Sequence, residues 1–169
     1  SVINNSGTGS LTASELTSVL SGTTVAIRFH VGEERSVFTG SSTTDETETL
    51  FQLVAHLLQD PGIREEAWQR ALSRYQQLDQ RYDTDVEGMF IKKGEVFLAG
   101  GDNRAGWPRI DEVNSRTIDE LRGWLVPELK YGSLEVAIVG DFDLDAMGEL
   151  VTEYFSSLER RERNKEKFA

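Results

Sequence analysis

The sequence predicts an α+β fold in which helices pack on one small antiparallel or mixed β-sheet. Hydrophobic residues recur at helical spacing in six segments, whereas only three segments have the pattern of a strand. The predicted order is a helix, two strands, four helices, a strand and a final helix. Because 169 residues fit one domain with a sizeable core, we expect a single domain over residues 1–158. Residues 159–169, rich in both charges, are expected to form a tail or linker.

The first helix and the β-hairpin are predicted from local signals. Thr12-Ala-Ser-Glu15 is a capping box, which predicts a helix ending near Leu20. After it, apolar and polar residues alternate from Val25 to Phe29, as in a half-buried strand. A turn at Gly32-Glu-Glu34 then leads to a second strand over 35–41, so the two strands should form a hairpin.

The middle of the chain is predicted to be helical. A second capping box, Thr43-Thr-Asp-Glu46, precedes a leucine-rich stripe, and Asp60-Pro-Gly62 ends that helix. A long helix should follow over 63–82, and a less regular one over 86–98, where Gly94 interrupts the pattern. Residues 100–108 are predicted to be a loop.

The C-terminal third contains the segment with the clearest strand pattern. A third capping box, Thr117-Ile-Asp-Glu120, predicts a helix with Trp124 and Leu125 facing inward. The nearly all-apolar run Leu134-Glu-Val-Ala-Ile-Val139 is typical of a central strand that is buried on both faces. Asp143 is expected to cap a last amphipathic helix.

Composition excludes several classes of function. The net charge of −11 would repel phosphate backbones, so we expect no nucleic-acid partner. No apolar stretch approaches the roughly 20 residues needed to cross a bilayer, and we expect no membrane partner. The chain has no cysteine, which removes disulfides and thiolate metal sites.

No residue pattern predicts a catalytic, cofactor-binding or metal site. The two histidines, His30 and His56, lack a second ligand at a diagnostic spacing. The run Asp141-Phe-Asp-Leu-Asp145 begins like a calcium loop, but the positions for its glycine and glutamate hold Ala146 and Thr152. Gly7-Thr-Gly9 is a weak candidate for phosphate binding, because no strand precedes it and no lysine follows.

Three stretches together resemble the pitrilysin/insulinase family of zinc peptidases, in order and spacing, across nearly the whole chain. The first is Ser6-Gly-Thr-Gly-Ser-Leu-Thr-Ala-Ser-Glu-Leu16, followed by the strand from Val25 to Phe29. The second comprises Phe38-Thr-Gly-Ser-Ser-Thr-Thr44 and Leu57-Leu-Gln-Asp-Pro-Gly-Ile-Arg-Glu-Glu-Ala67. The third comprises Arg116-Thr-Ile-Asp-Glu-Leu121 and Leu134-Glu-Val-Ala-Ile-Val-Gly-Asp-Phe-Asp143.

The resemblance implies a LuxS/pitrilysin-like α/β sandwich and a non-catalytic role. In that family only one domain carries H-x-x-E-H with a downstream glutamate. The matching positions here, Ser1–Asn5 and Trp68–Tyr75, hold no histidine and no acidic residue. The chain therefore resembles an inactive domain, the third of four, in a metallopeptidase whose zinc is bound by another domain. The resemblance also implies a periplasmic location, with peptide substrate and the other domains of the parent protein as partners.

Two alternatives stay open at this point. The same fold could serve a scaffold or protein-interaction module that takes no part in proteolysis, or the chain could be a hydrolase with an unrecognised site. The resemblance also places further strands and a helix upstream of Ser1. Without them the hairpin would expose a sheet edge, which predicts that the isolated chain self-associates.

Overall fold

The computed structural model describes residues 1–32, 35–102 and 104–161, and the fold is α+β. Within these residues no helix is long and apolar enough to cross a membrane. Two strands, β1 (Ala26–Val31) and β2 (Ser36–Ser41), are antiparallel. The helices are α1 (Ala13–Val19), α2 (Thr47–Gln59), α3 (Glu65–Tyr82), α4 (Val86–Met89), α5 (Glu95–Leu98), α6 (Ile110–Ser115), α7 (Ile118–Tyr131) and α8 (Leu144–Phe155). The described chain divides into two compact units, residues 1–64 with 122–161 and residues 65–121.

The hairpin of the first unit has the predicted inward and outward alternation. Phe29 on β1 is opposite Phe38 on β2, and their ring centroids are 4.6 Å apart. Phe29 is buried, whereas its neighbours Arg28 and His30 are exposed on the other face. The predicted turn at Glu33-Glu34 lies outside the described residues.

Helix α2 forms the centre of the core in the first unit. It packs against both strands and α8, and Phe51 meets Phe155 of α8 edge to face at 5.4 Å. Because α2 has neighbours on several sides, its buried surface is wider than the predicted stripe and also includes Leu53 and Ala55. Leu125 and Leu129 of α7 and Met147 of α8 are buried in the same unit.

Of the three predicted capping boxes, two are confirmed and one is wrong. Thr12 and Glu15 form the capping box, and Thr117 pairs with Glu120 in the same way. The prediction of a box at Thr43 is wrong. There the first turn is a 3₁₀ helix, Thr44–Glu46, and the Glu46 carboxylate accepts from the Thr24 amide at 2.8 Å instead.

The prediction of a central strand at Leu134–Val139 is also wrong. These residues belong to no strand, and Leu134, Val136 and Val139 are 37%, 48% and 97% exposed. The apolar pattern indicates residues that are suited to burial. A strand also needs a neighbouring strand to pair with, and the described chain places none there. The inward assignment of Trp124 also fails, because this side chain is 51% exposed.

The second unit is helical, and its irregular helix is explained by local packing. Between α4 and α5 the backbone forms a π-helical segment, Phe90–Gly94, so that one helical run extends over 86–98. A Cβ on residue 94 would lie 2.4 Å from the Phe90 ring, which explains why this position holds a glycine. The sequence did not predict α6, since six residues are too few to show a helical period.

Candidate functional site

The two histidines are both exposed and lie on different elements of the fold. His30 is exposed on β1 opposite Val37, and His56 is exposed on α2, where its Nδ1 lies 3.1 Å from the Gln52 carbonyl oxygen. Among the described residues, no three His, Asp or Glu side chains come close enough together to hold a metal ion.

The carboxylates of Asp141–Asp145 do not converge as a calcium loop would require. Asp143 instead caps α8, where its Oδ1 accepts from the amides of Asp145 at 3.0 Å and Ala146 at 2.9 Å. The carbonyl of Asp141 accepts from the Thr44 hydroxyl at 3.2 Å. This confirms the predicted role of Asp143 as a helix cap.

The glycine-containing loop at Ser6–Gly9 is a structural anchor. The Arg64 guanidinium donates to the carbonyls of Ser6 at 2.9 Å, Thr8 at 2.9 Å and Gly9 at 3.2 Å. Gly7 has a φ of +73°, and a Cβ there would meet the Leu11 carbonyl at 2.2 Å. Carbonyl groups turned toward an arginine cannot cradle a phosphate, which needs converging N–H donors. No local pattern indicates this role of Arg64, because its partners lie more than fifty positions away in the chain.

A lysine and two aspartates form an ion-pair cluster in the second unit. Lys92 Nζ lies 2.7 Å from Asp79 Oδ1 and 2.8 Å from Asp83 Oδ1. Burial disfavours the ammonium, but the hydrogen bonds to both carboxylates outweigh it, so the pKa of Lys92 is raised. The two ion pairs join Lys92 of the π-helical segment to Asp79 of α3 and to Asp83 just after it, so the cluster has a structural role.

Three aromatic residues of the second unit also have a packing role. Trp107 stacks on Tyr75 with ring centroids 4.5 Å apart, and Tyr82 meets Trp107 edge to face at 4.9 Å. The Tyr75 hydroxyl donates to the Pro108 carbonyl, and burial raises the pKa of this phenol. Trp107 thus fixes the loop before α6.

A small recess in the first unit is too shallow for a substrate site. Its volume is about 120 Å³, below the several hundred Å³ typical of ligand pockets. Of its lining residues, Arg161 already donates to the carbonyls of Leu129 at 2.6 Å and Gly132 at 3.0 Å. The Arg161 side chain therefore stabilises the C-terminal end of α7.

The chain is similar in fold to two solved proteases. A mutant of the ferredoxin protease FusC, in complex with Arabidopsis ferredoxin, matches 94% of this chain with a TM-score of 0.74 and 17% identity. A protease from Helicobacter pylori matches 96% of it with a TM-score of 0.73 and 15% identity. At these identities the likeness establishes the fold. No protein-family model and no curated protein matches the sequence.

The match covers only part of each protease. The chain spans 18% of the FusC chain and 40% of the Helicobacter pylori chain. Its fold is thus found as one portion of larger proteases.

Proposed function

We propose that this chain is a non-catalytic domain of a zinc metallopeptidase and forms part of the wall around a bound peptide. The observation that supports this most directly is that nearly all of the chain matches a portion of two larger proteases. The three sequence stretches that resemble the pitrilysin/insulinase family point to the same class of protein, and the position of the third of four domains is part of the proposal.

The non-catalytic role is supported by the side chains at the positions where that family has its metal ligands. Ser1–Asn5 contains no histidine or glutamate, and Trp68–Tyr75 contains no acidic residue. In this proposal the zinc is bound in another domain of the parent protein, which resides in the periplasm.

The charge of the chain suggests which peptides such a wall would favour. A net charge of −11 attracts cationic peptides over distances of about a Debye length. Basic, extended peptides are therefore the substrate class that we propose for the parent enzyme.

The proposal can be tested by separating this chain from the rest of the parent. The chain alone, supplied with zinc, should not cleave a lysine-rich peptide in a mass-spectrometric assay, with or without a chelator. The remainder of the parent should carry H-x-x-E-H and should regain chelator-sensitive cleavage when this chain is added.

Two results would contradict the proposal. Chelator-sensitive turnover by the chain alone would make it a hydrolase in its own right. A parent protein without H-x-x-E-H and without peptidase activity would instead support the scaffold role.

A further inference from the structure

The surface that stands out in the first unit is the run Leu134–Val139, here named the apolar segment. Five of its six residues are apolar, yet Val136 is 48% and Val139 97% exposed. Exposed valines in a β-branched run are unusual, because such residues are typical of strands with at least one covered face.

The backbone of the apolar segment is free as well. In the described part of the chain, no backbone hydrogen bond joins residues 133–140 to another backbone group. The segment is anchored at its two ends. The Gly132 carbonyl accepts from Arg161 at 3.0 Å, and the Asp141 carbonyl accepts from Thr44 at 3.2 Å. A backbone with free N–H and C=O groups and fixed ends is a template for an added strand.

Charge distinguishes between the possible partners. Between Lys130 and Arg160 the chain has no lysine, arginine or histidine. Its acidic residues there are Glu135, Asp141, Asp143, Asp145, Glu149, Glu153 and Glu159. A second copy of this chain would bring two such regions together, and like charges across a strand pair are destabilising. A strand with basic flanks would be attracted instead.

We propose that the apolar segment is a docking site for an extended polypeptide strand that has apolar residues and is flanked by lysine or arginine. The added strand pairs with the free backbone of residues 134–139, and its side chains pack on the exposed valines. Basic flanks lie near Glu135 and Asp141. The proposal goes beyond the peptidase role, since it holds whether or not the parent protein cleaves peptides.

The test uses the whole chain and a labelled ten-residue peptide with three Val-Thr repeats between two pairs of lysines. Fluorescence anisotropy should show saturable binding that weakens as salt is raised. A twin peptide with glutamates in place of the lysines should bind at least fivefold more weakly at low salt.

A proline substitution tests whether the backbone of the apolar segment is the template. Val136→Pro removes an N–H donor from an exposed position and should weaken binding at least tenfold. The matched control is Val86→Pro, at a position that is 88% exposed. Val86 is the first residue of α4 and follows an extended Asp85, where proline is tolerated, so binding should stay within twofold.

A charge reversal provides a second variant in case Val136→Pro alters the fold. Glu135→Lys should weaken binding of the lysine-flanked peptide and strengthen binding of its glutamate-flanked twin. Unchanged circular dichroism and urea midpoints would show that both variants remain folded.

Several results would overturn the proposal. These are no saturable binding to the wild-type chain, equal binding by Val136→Pro, and equal affinity for the two peptides. A wild-type dimer that Val136→Pro converts to a monomer in light scattering would make a second copy the occupant instead.

Discussion

β1 and the apolar segment have the same length and a similar content of β-branched residues, yet within the described residues only β1 has a strand partner. In β1, which packs on α2, Phe29 is buried and its ring lies against that of Phe38. In the apolar segment, Val136 and Val139 remain exposed. The difference shows that a strand-like sequence expresses a local preference, whereas strand pairing depends on neighbours that the sequence pattern does not specify.

The outer edge of β1 adds a second contrast. Phe29 donates its amide to Asn4 Oδ1 at 2.7 Å, and its carbonyl accepts from Asn4 Nδ2 at 3.0 Å. The Asn4 side chain thus takes the place of a neighbouring strand at this one position, on the edge that β2 does not cover. No comparable side chain pairs with the backbone within residues 134–139 of the described structure.

The largest loss of stability is expected from removing the buried ring of Phe29 on β1. Phe29→Ala should lower the free energy of unfolding by about 3–5 kcal/mol, because it leaves a cavity beneath the hairpin. Urea denaturation monitored by circular dichroism measures this loss. Phe97→Ala is the matched control, since Phe97 is 81% exposed and its loss should cost less than about 0.5 kcal/mol. Equal losses in the two variants would contradict the assigned core.

A smaller effect is expected at the edge of β1. Asn4→Ala leaves the amide and carbonyl of Phe29 without their partner and should cost about 1–2 kcal/mol in urea denaturation. Asn114→Ala is the control, because Asn114 is exposed and its Oδ1 accepts from the Gln76 side chain at 3.0 Å. If Asn114→Ala costs as much as Asn4→Ala, the side chain of Asn4 does not substitute for a strand.

These contrasts define what could be predicted from the sequence. The capping boxes at Thr12 and Thr117, the hairpin and the cap at Asp143 are formed by residues close together in the chain, and these predictions are confirmed. The bonds from Arg64 to Ser6 and from Asn4 to Phe29 join distant positions, and no local pattern indicates them. For the site, residues 134–139 have the sequence of a buried strand, and only the structure shows that their backbone is unpaired within the described chain.

The carboxylate of Glu46, in the 3₁₀ turn that follows the hairpin, makes the stability depend on pH. Hydrogen bonds from the Thr24 hydroxyl and amide hold the pKa of Glu46 below its ordinary value. The stabilisation is therefore present above the ordinary glutamate pKa, near 4.3, and is lost as the pH falls through the lower folded pKa. Glu46→Gln should reduce stability at pH 7 by less than Asn4→Ala does, and should flatten the decline in stability below about pH 5. If urea titrations show the same decline in stability at low pH for the wild-type chain and for Glu46→Gln, then Glu46 does not contribute to that decline.

The smallest change in stability is expected from a substitution in the apolar segment. Val136→Thr exchanges a methyl for a hydroxyl on a half-exposed side chain, so the free energy of unfolding should change by less than about 0.5 kcal/mol. Val25→Thr makes the same change at a partly buried position just before β1 and should cost about 1 kcal/mol. Urea denaturation of the two variants side by side measures the difference. A cost at Val136 equal to that at Val25 would mean that the apolar segment is packed in solution, and its backbone would then not be free to accept a strand.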